Sequence, residues 1–333
     1  MQCSRSSYLT LTNIVLVAVM LLLASPSYSQ EYSGHLSLQQ QLDRIEELDS
    51  SSPKEALKLA QALERQYPNN KEVIIWLSRL YAQFSNVDEA LIYANRATQF
   101  KLTPTEQMHV QMGFAIYYYF KVDKPNTFKH IDLAVKAAML SESATNIVRA
   151  LSFRSSIYSS FNLTHQAMED ISTIYESIDF VTEPDVLSSF YNALCAVYLL
   201  TNQFEGAVEA QLKSIEFMTP TQNQQQLSVL HYNLADIYWQ MDDFDAALKS
   251  YSDSLEFSKN SGDTVGESYA YMGQGKSHLK QGNYQQALNP LKKAESFFSN
   301  TDDTVNIVET NSHLAQIYLN LRQFSEAKAA LEK

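Results

Sequence analysis

A tyrosine returns every forty residues along this chain: Tyr118, Tyr158, Tyr198, Tyr238, then His278 in its place, then Tyr318. Three positions before each stands a small residue, Ala115, Ser155, Cys195, Ala235, Gly275 and Ala315. Nine positions after most of them stands an alanine: Ala167, Ala207, Ala247, Ala287 and Ala327. Self-similarity at a fixed period of this size means a repeat architecture, in which each unit buries its apolar face against its neighbours. Such stacks offer surfaces for binding and seldom perform chemistry.

The fifth unit shows the grammar. Asp185–Leu200 is followed by a polar turn, Thr201-Asn202-Gln203, and then by Phe204–Phe217. Tyr191, Leu194, Cys195 and Tyr198 recur at three- and four-residue spacing, which places them on one helical face, and Phe204, Ala207, Val208, Gln211 and Ile215 do the same in the next segment. Two helices joined by a three-residue turn are antiparallel and packed together. The small residues Cys195 and Ala207 let the backbones approach, with Tyr198 and Phe204 beside them. The first pair follows from local signals. Leu36–Leu48 has helical spacing, and Ser52-Pro53-Lys54-Glu55 combines a cap serine, proline at the first helical position and glutamate three beyond the cap. The second helix runs to about Tyr67, before Pro68.

This pattern resembles the tetratricopeptide repeat. The best matches are Tyr232-Asn233-Leu234-Ala235 with Tyr238, Phe244 and Ala247-Leu248; Tyr271 with Gly275, Tyr284 and Ala287-Leu288; and His313-Leu314-Ala315 with Tyr318, Phe324 and Ala327. An earlier unit carries Leu77, Tyr81, Ala90-Leu91 and Ala97, with Pro104 beyond it. The resemblance covers roughly residues 36–333 and implies an all-α, right-handed superhelix of about eight antiparallel helix pairs. Departures exist. The family's unit has about 34 residues, a spacing kept only from Ala56 to Ala90, whereas the later units run to 40. The additional residues are expected to lengthen the helices and the connections between units, with Lys259–Val265 and Asn300–Val305 as such connections. Units three and four are degenerate, with Thr127 in the alanine column and Arg154 in place of leucine.

Residues 1–29 read as an export signal, with Arg5 as the positive start, an unbroken apolar run Ile14–Leu23 and small residues at Ser27 and Ser29, predicting cleavage before Gln30. Ten apolar residues fall short of the roughly 20 that span a bilayer; retention as an N-terminal membrane anchor is the alternative. The mature domain is then residues 30–333. The chain carries 25 basic and 37 acidic residues, a formal charge of −12, and loss of Arg5 with the signal leaves −13. Such a surface repels polyphosphate, which argues against nucleic acid as partner.

No catalytic or cofactor constellation is evident. Seven histidines are scattered, none in a metal-ligand pair, and His278 fills the packing position of a tyrosine. Asp242-Asp243-Phe244-Asp245 lacks the glycine and glutamate of a calcium loop. Cys195, alone once Cys3 leaves with the signal, sits in the small-residue column and reads as a buried packing residue. Gly273 and Gly275 fall in a helical pattern and are expected to serve close packing. Asn162-Leu163-Thr164 matches a glycosylation acceptor. No enzyme activity, cofactor or metal is therefore expected.

The remaining surface is the groove lined by the first helix of each unit. Lysine, asparagine and arginine placed to grip a terminal carboxylate are missing from corresponding positions of neighbouring units. The groove holds Tyr119, Phe120, Tyr232, Trp239 and Tyr269 with Arg149 and Lys276; rings at such positions either contact a peptide or pack between units. Tyr232, Asp236, Trp239, Tyr269 and Lys276 are the candidate site for a protein or peptide segment, and the acidic chain favours a basic or neutral one. The forty-residue units and export signal are similar to the periplasmic sensory region of bacterial GGDEF diguanylate cyclases and histidine kinases. That resemblance implies an exported sensory scaffold, with a membrane-linked signalling domain following Lys333. The alternative is a free-standing periplasmic scaffold for envelope assembly or secretion.

Overall fold

The computed structural model describes residues 36–333 apart from positions 85, 302 and 333. The export signal and its cleavage site lie outside the described residues. The described chain is all-helical, with sixteen α-helices and no strand. It falls into two compact units, the first ending at Asn223 and the second beginning at Gln224.

The first unit holds five helix pairs: α1 (Leu38–Ser51) with α2 (Pro53–Gln66), α3 (Lys71–Gln83) with α4 (Val87–Ala97), α5 (Pro104–Phe120) with α6 (Lys124–Leu140), α7 (Ala144–Ser160) with α8 (Thr164–Ile174), and α9 (Pro184–Leu200) with α10 (Phe204–Met218). The second holds three: α11 (Gln224–Gln240) with α12 (Phe244–Ser261), α13 (Thr264–Lys280) with α14 (Tyr284–Phe298), and α15 (Thr304–Asn320) with α16 (Phe324–Leu331). The fifth pair and its Thr201-Asn202-Gln203 turn lie as expected to within one residue. At the first pair Pro53 does open α2, but the Ser52 side chain makes no cap bond. Reciprocal capping boxes form instead at Ser37 with Gln40 and at Thr103 with Glu106.

The repeating small residues are where the paired helices touch. Ala90, Ala167, Ala207, Ala247 and Ala287 are wholly buried. Ser78 and Ser155, in the small-residue column of the facing helices, donate across to the carbonyls of Ala90 and Ala167 at 3.3 and 3.1 Å. A Cβ at Gly275 would stand 2.4 Å from Leu291, and one at Gly273 would stand 2.3 Å from the ring of Tyr251, so both glycines serve close approach. The degenerate units compensate. Thr127 is fully buried in the alanine column and gives its hydroxyl to the Asp123 carbonyl at 2.8 Å. Arg154 makes a bidentate pair with buried Asp170, at 2.9 and 2.6 Å, and reaches Asp132 at 2.9 Å. Each departure from apolar packing is thus a satisfied polar contact.

Tyrosine marks a backbone position as well as a ring. The carbonyls of Tyr118, Tyr158, Tyr198, Tyr238, His278 and Tyr318 each accept the N–H five residues ahead, at 2.8–2.9 Å. This is the bond that closes a helix through a left-handed residue. That residue recurs at positions 122, 142, 162, 202, 222, 242, 262, 282 and 322, all with φ between 53° and 76°. The backbone therefore repeats about every twenty residues, one helix and one turn, and the forty-residue period is two such steps. Glycine supplies the left-handed residue only at Gly262 and Gly282. The turn residue that follows often caps the next helix: Asp123, Ser143, Asp243 and Asp263 accept from the third helical N–H, as Asp303 does before α15. Asp242-Asp243 is accordingly turn and cap.

The longer repeat resides mainly in the helices, since α5, α6, α7, α9, α11, α13 and α15 have 17 residues each. Lys259–Ser261 belongs to α12, so only Gly262-Asp263 link it to α13. The expected connection over Lys259–Val265 is therefore corrected: helix propagation there stops only at Gly262, where the left-handed conformation costs nothing. The connection after α14 does fall near its expected place, between Phe298 and Thr304.

Replacing Ala247 by Trp should destabilise the chain by about 3 kcal/mol, the upper range for overpacking, while Trp at exposed Lys249 should change it by less than about 0.5 kcal/mol; denaturant unfolding of both variants checks the repeat register. Val122 is left-handed at φ 57° with its side chain 80% exposed, a strained place for a β-branched residue. Val122→Asn should therefore raise stability by about 1 kcal/mol, visible as a higher denaturation midpoint at unchanged slope.

Candidate functional site

The second unit brings the five expected residues together. Asp236 of α11 accepts from the Lys276 ammonium of α13 at 2.7 Å and from the Tyr251 hydroxyl of α12. Tyr232 packs against Tyr251 and Tyr269, with ring centroids 5.5 and 6.0 Å apart. Trp239 lies 4.9 Å from the Lys276 ammonium and 5.5 Å from that of Lys280. The hydrogen bond of Glu309, on α15, with His313, then the Lys276 charge, hold its carboxyl below the usual range against the opposing effect of burial. Burial, and next the Asp236 charge, push the Tyr232 and Tyr251 hydroxyls well above theirs.

Their accessibility differs from the expectation. Tyr232, Asp236, Tyr269 and Lys276 are only 2%, 3%, 2% and 6% exposed. Asp236 and Lys276 satisfy each other, the Tyr269 hydroxyl accepts from the Asn306 amide of α15 at 2.8 Å, and the rings fill the space between helices. Only Trp239 is partly open, and its indole N–H has no acceptor among the described residues. The physical reason is pairing: Asp236 and Lys276 stand forty residues apart in the same column of adjacent first helices, which puts them opposite each other and not toward a ligand. A shallow cleft of about 370 Å³ near Tyr271 also lies in this unit, but the Lys293 ammonium there is engaged with the Tyr271 ring and hydroxyl.

A second cluster, on the first helices of the first unit, was read from sequence only in part. Lys71 pairs with Glu106 at 2.6 Å, Asn146 donates to Thr105 at 3.0 Å, and Thr145 donates to Glu183 at 3.0 Å. These contacts set the N-terminal ends of α3, α5, α7 and α9 side by side. One turn along from Thr105 and Thr145 stand His109 and Arg149. Arg149 meets Asp185 at 2.9 Å, and Arg79, further along α3, meets Asp49 of α1 at 2.5 Å while resting 4.8 Å over the Trp76 ring. Gln83 holds the other oxygen of Asp49 at 3.0 Å. Burial lowers the pKa of His109 well below the usual value, and the Arg79 and Arg149 charges lower it further. Burial likewise outweighs Asp49 at Arg79 and lowers its pKa. Both guanidinium side chains nonetheless stay about a fifth exposed, at 21% and 22%. Asn223, at the end of this unit, donates to the Ser50 carbonyl of α1 at 3.2 Å, so the five pairs coil far enough to bring the last residue to the first helix.

Tyr119 and Phe120, also expected in the groove, are half-buried and stack edge-on at 5.9 Å, with Phe161 against Tyr119 at 5.8 Å. Burial drives the Cys195 thiol far above its usual range, which disfavours the thiolate a nucleophile needs. Among the described residues no group of three or more His, Cys, Asp and Glu is placed to hold a metal, and no helix is long and apolar enough to cross a membrane.

Three stretches match family models described as tetratricopeptide repeat: residues 45–105, 225–300 and 308–333. These three stretches carry tetratricopeptide repeats. No curated protein sequence matches it. Similar folds occur among solved structures. A Rap protein complexed with Competence and Sporulation Factor shares 11% identity, with a TM-score of 0.64 over 88% of this chain and 94% of that one. Aspartyl phosphate phosphatase F from Bacillus subtilis shares 12%, with a TM-score of 0.56 over 91% and 95%. The Cut9–Hcn1 structure of the APC/C shares 15%, with a TM-score of 0.61, and there the match covers 84% of this chain but 49% of the other. At these identities the likeness is one of fold.

The buried pair of the second unit should be costly to break. Lys276→Met leaves Asp236 enclosed and uncompensated, and should lower stability by about 3–5 kcal/mol. Lys280→Met, at an exposed cation four residues on, should cost less than about 0.5 kcal/mol. Equal losses in chemical denaturation would show that Lys276 is not enclosed.

Proposed function

We propose that this chain is an exported scaffold that binds a protein or peptide segment, and that it serves as the sensory or interaction part of a bacterial signalling protein linked to the membrane beyond Lys333. One observation carries the binding reading. The first helices of the first unit present partly exposed guanidinium, imidazole and aromatic groups on one face, whereas the described residues hold no nucleophile–base or metal-ligating arrangement. Tetratricopeptide folds of this kind include one solved in complex with Competence and Sporulation Factor, which supports a protein or peptide as the ligand. The unbroken apolar run Ile14–Leu23, followed by small residues before Gln30, supports export, and a charge of −13 beyond it favours basic or neutral segments over nucleic acid.

Two measurements test this reading. Intact-mass analysis of protein recovered from the exported fraction should give a chain beginning at Gln30; recovery only in membranes with Met1–Ser29 retained would support the anchored alternative. An array of defined peptides probed with the full mature chain should retain a subset. Uniform failure to bind any peptide would remove the peptide-scaffold reading.

A further inference from the structure

The cleft beside Tyr271 in the second unit lies where the two preceding helix pairs bring rings together. Eighty residues before Tyr271, Lys293 and Phe297 stand Tyr191, Lys213 and Phe217, in the same columns of the fifth pair. There Phe217 stacks on Tyr191 with ring centroids 5.4 Å apart. The Lys213 ammonium lies 5.4 Å from the Tyr191 ring and meets Glu209 at 3.3 Å. The sixth pair repeats the arrangement with other residues: Phe257 stacks on His231 at 5.1 Å, and Asp253 stands 3.6 Å from the imidazole. In both pairs two rings close on each other and the basic group beside them has a carboxylate.

The seventh pair keeps the ring and lysine columns and loses both contacts. Phe297 stands edge-on to Phe298, with centroids 5.5 Å apart, and makes no ring contact with Tyr271. Tyr271 and Phe297 instead line the cleft of about 370 Å³. Asn289 stands where the fifth pair has Glu209, and the Lys293 ammonium, 4.5 Å from the Tyr271 ring, has no carboxylate partner among the described residues. Its 3.3 Å bond to the Tyr271 hydroxyl is to a neutral acceptor and leaves the charge uncompensated. Lys259, in the last turn of α12, brings a second ammonium 5.9 Å from the same ring, also without a carboxylate among the described residues. Two cations beside one ring repel each other unless an anion joins them.

We infer that this cleft binds a small aromatic acid, with its ring between Tyr271 and Phe297 and its carboxylate or phosphate group against Lys293 and Lys259. The ligand's ring restores the aromatic contact that the fifth and sixth pairs make within themselves. Its oxyanion takes the place of Glu209. The Tyr271 hydroxyl proton, which no described residue accepts, is a further donor to that group. A volume of about 370 Å³ falls in the range of small-ligand sites and leaves room for one substituted ring. Glu267, also on the wall, repels a second negative group, so a single oxyanion is favoured over a polyanion.

Benzoate, phenyl phosphate, inorganic phosphate and benzamide, the neutral isostere of benzoate, are titrated separately into the full mature chain by calorimetry. Benzoate or phenyl phosphate should saturate with a dissociation constant of about 1 mM or tighter. Benzamide and inorganic phosphate, which lack the charge or the ring, should bind about tenfold more weakly than the tighter acid. These comparisons on the wild-type chain do not depend on any variant folding. Lys293→Gln and Lys259→Gln should each weaken the tighter acid about fivefold. Asn289→Glu places a carboxylate four residues before Lys293, as Glu209 stands to Lys213, and should weaken the acid about fivefold without lowering the denaturation midpoint. Glu267→Gln should tighten it, and Lys249→Gln, at an exposed cation elsewhere in this unit, should leave it unchanged. Absence of saturation by either acid up to about 10 mM would overturn the inference. So would equal affinity for benzoate and benzamide, or binding that ignores both Lys293→Gln and Asn289→Glu. Inorganic phosphate binding more tightly than phenyl phosphate and benzoate would assign the lysines to a free oxyanion and remove the aromatic slot. No peptide enters these titrations, so their failure leaves the peptide-scaffold reading to its own test.

Discussion

Everything in this molecule depends on how closely the two helices of a pair can approach. Residues without a γ-branch, at one column on each helix, allow backbone to meet backbone, so that a serine hydroxyl in one helix can reach a carbonyl in the other. That contact sets the depth to which the flanking large residues interdigitate, and thereby the buried apolar area that stabilises each pair. A single helix of 17 residues is marginal in water, and it persists because its apolar stripe is covered. The polar exceptions follow the same geometry. Thr127 is accommodated because its hydroxyl turns back to its own helix, and Arg154 because Asp170 meets it in two places.

The fold was legible because such packing leaves a periodic trace. Tyrosine, the small residue and alanine each occupy a fixed place relative to the turn, and their recurrence gives helix pairing without any long-range knowledge. The fifth pair shows how far this goes, with its ends placed to within one residue. The backbone's twenty-residue step was less visible. It depends on a left-handed turn residue that is glycine only twice, and is otherwise Val, Glu, Asn, Gln, Asp or Arg. Side-chain identity carries little of that signal, because the conformation is imposed by the helix-closing hydrogen bond and not by the residue's own preference. For the same reason the stretch Lys259–Ser261, polar and flexible in composition, could read as a connection while being the last turn of α12.

The sites were legible as positions and illegible as environments. Asp236, Lys276 and the rings around them were correctly assigned to facing first helices, but their column spacing makes them partners of each other. An inward-facing residue lines a surface only if the neighbouring helix leaves it free, and sequence periodicity alone cannot distinguish the two cases. Arg79 and Arg149 present the converse. They occupy different columns of non-adjacent repeats, so a comparison of like positions in neighbouring units finds no cationic pair. They share a face because contacts such as Lys71 with Glu106 and Asn146 with Thr105 set the N-terminal ends of their helices side by side.

The two clusters illustrate how one scaffold can treat charge in opposite ways. In the second unit Asp236 accepts from both Lys276 and Tyr251, and an enclosed pair of this kind contributes register more readily than net stability. In the first unit the carboxylates orient guanidinium groups that stay partly exposed. The difference is one of exposure. The ammonium and carboxylate of the second unit keep only 7% and 4% of their side-chain surface, so the pair is closed off from solvent. The guanidinium groups of the first unit keep about a fifth of theirs and stay in contact with water, where a charged group costs least to hold.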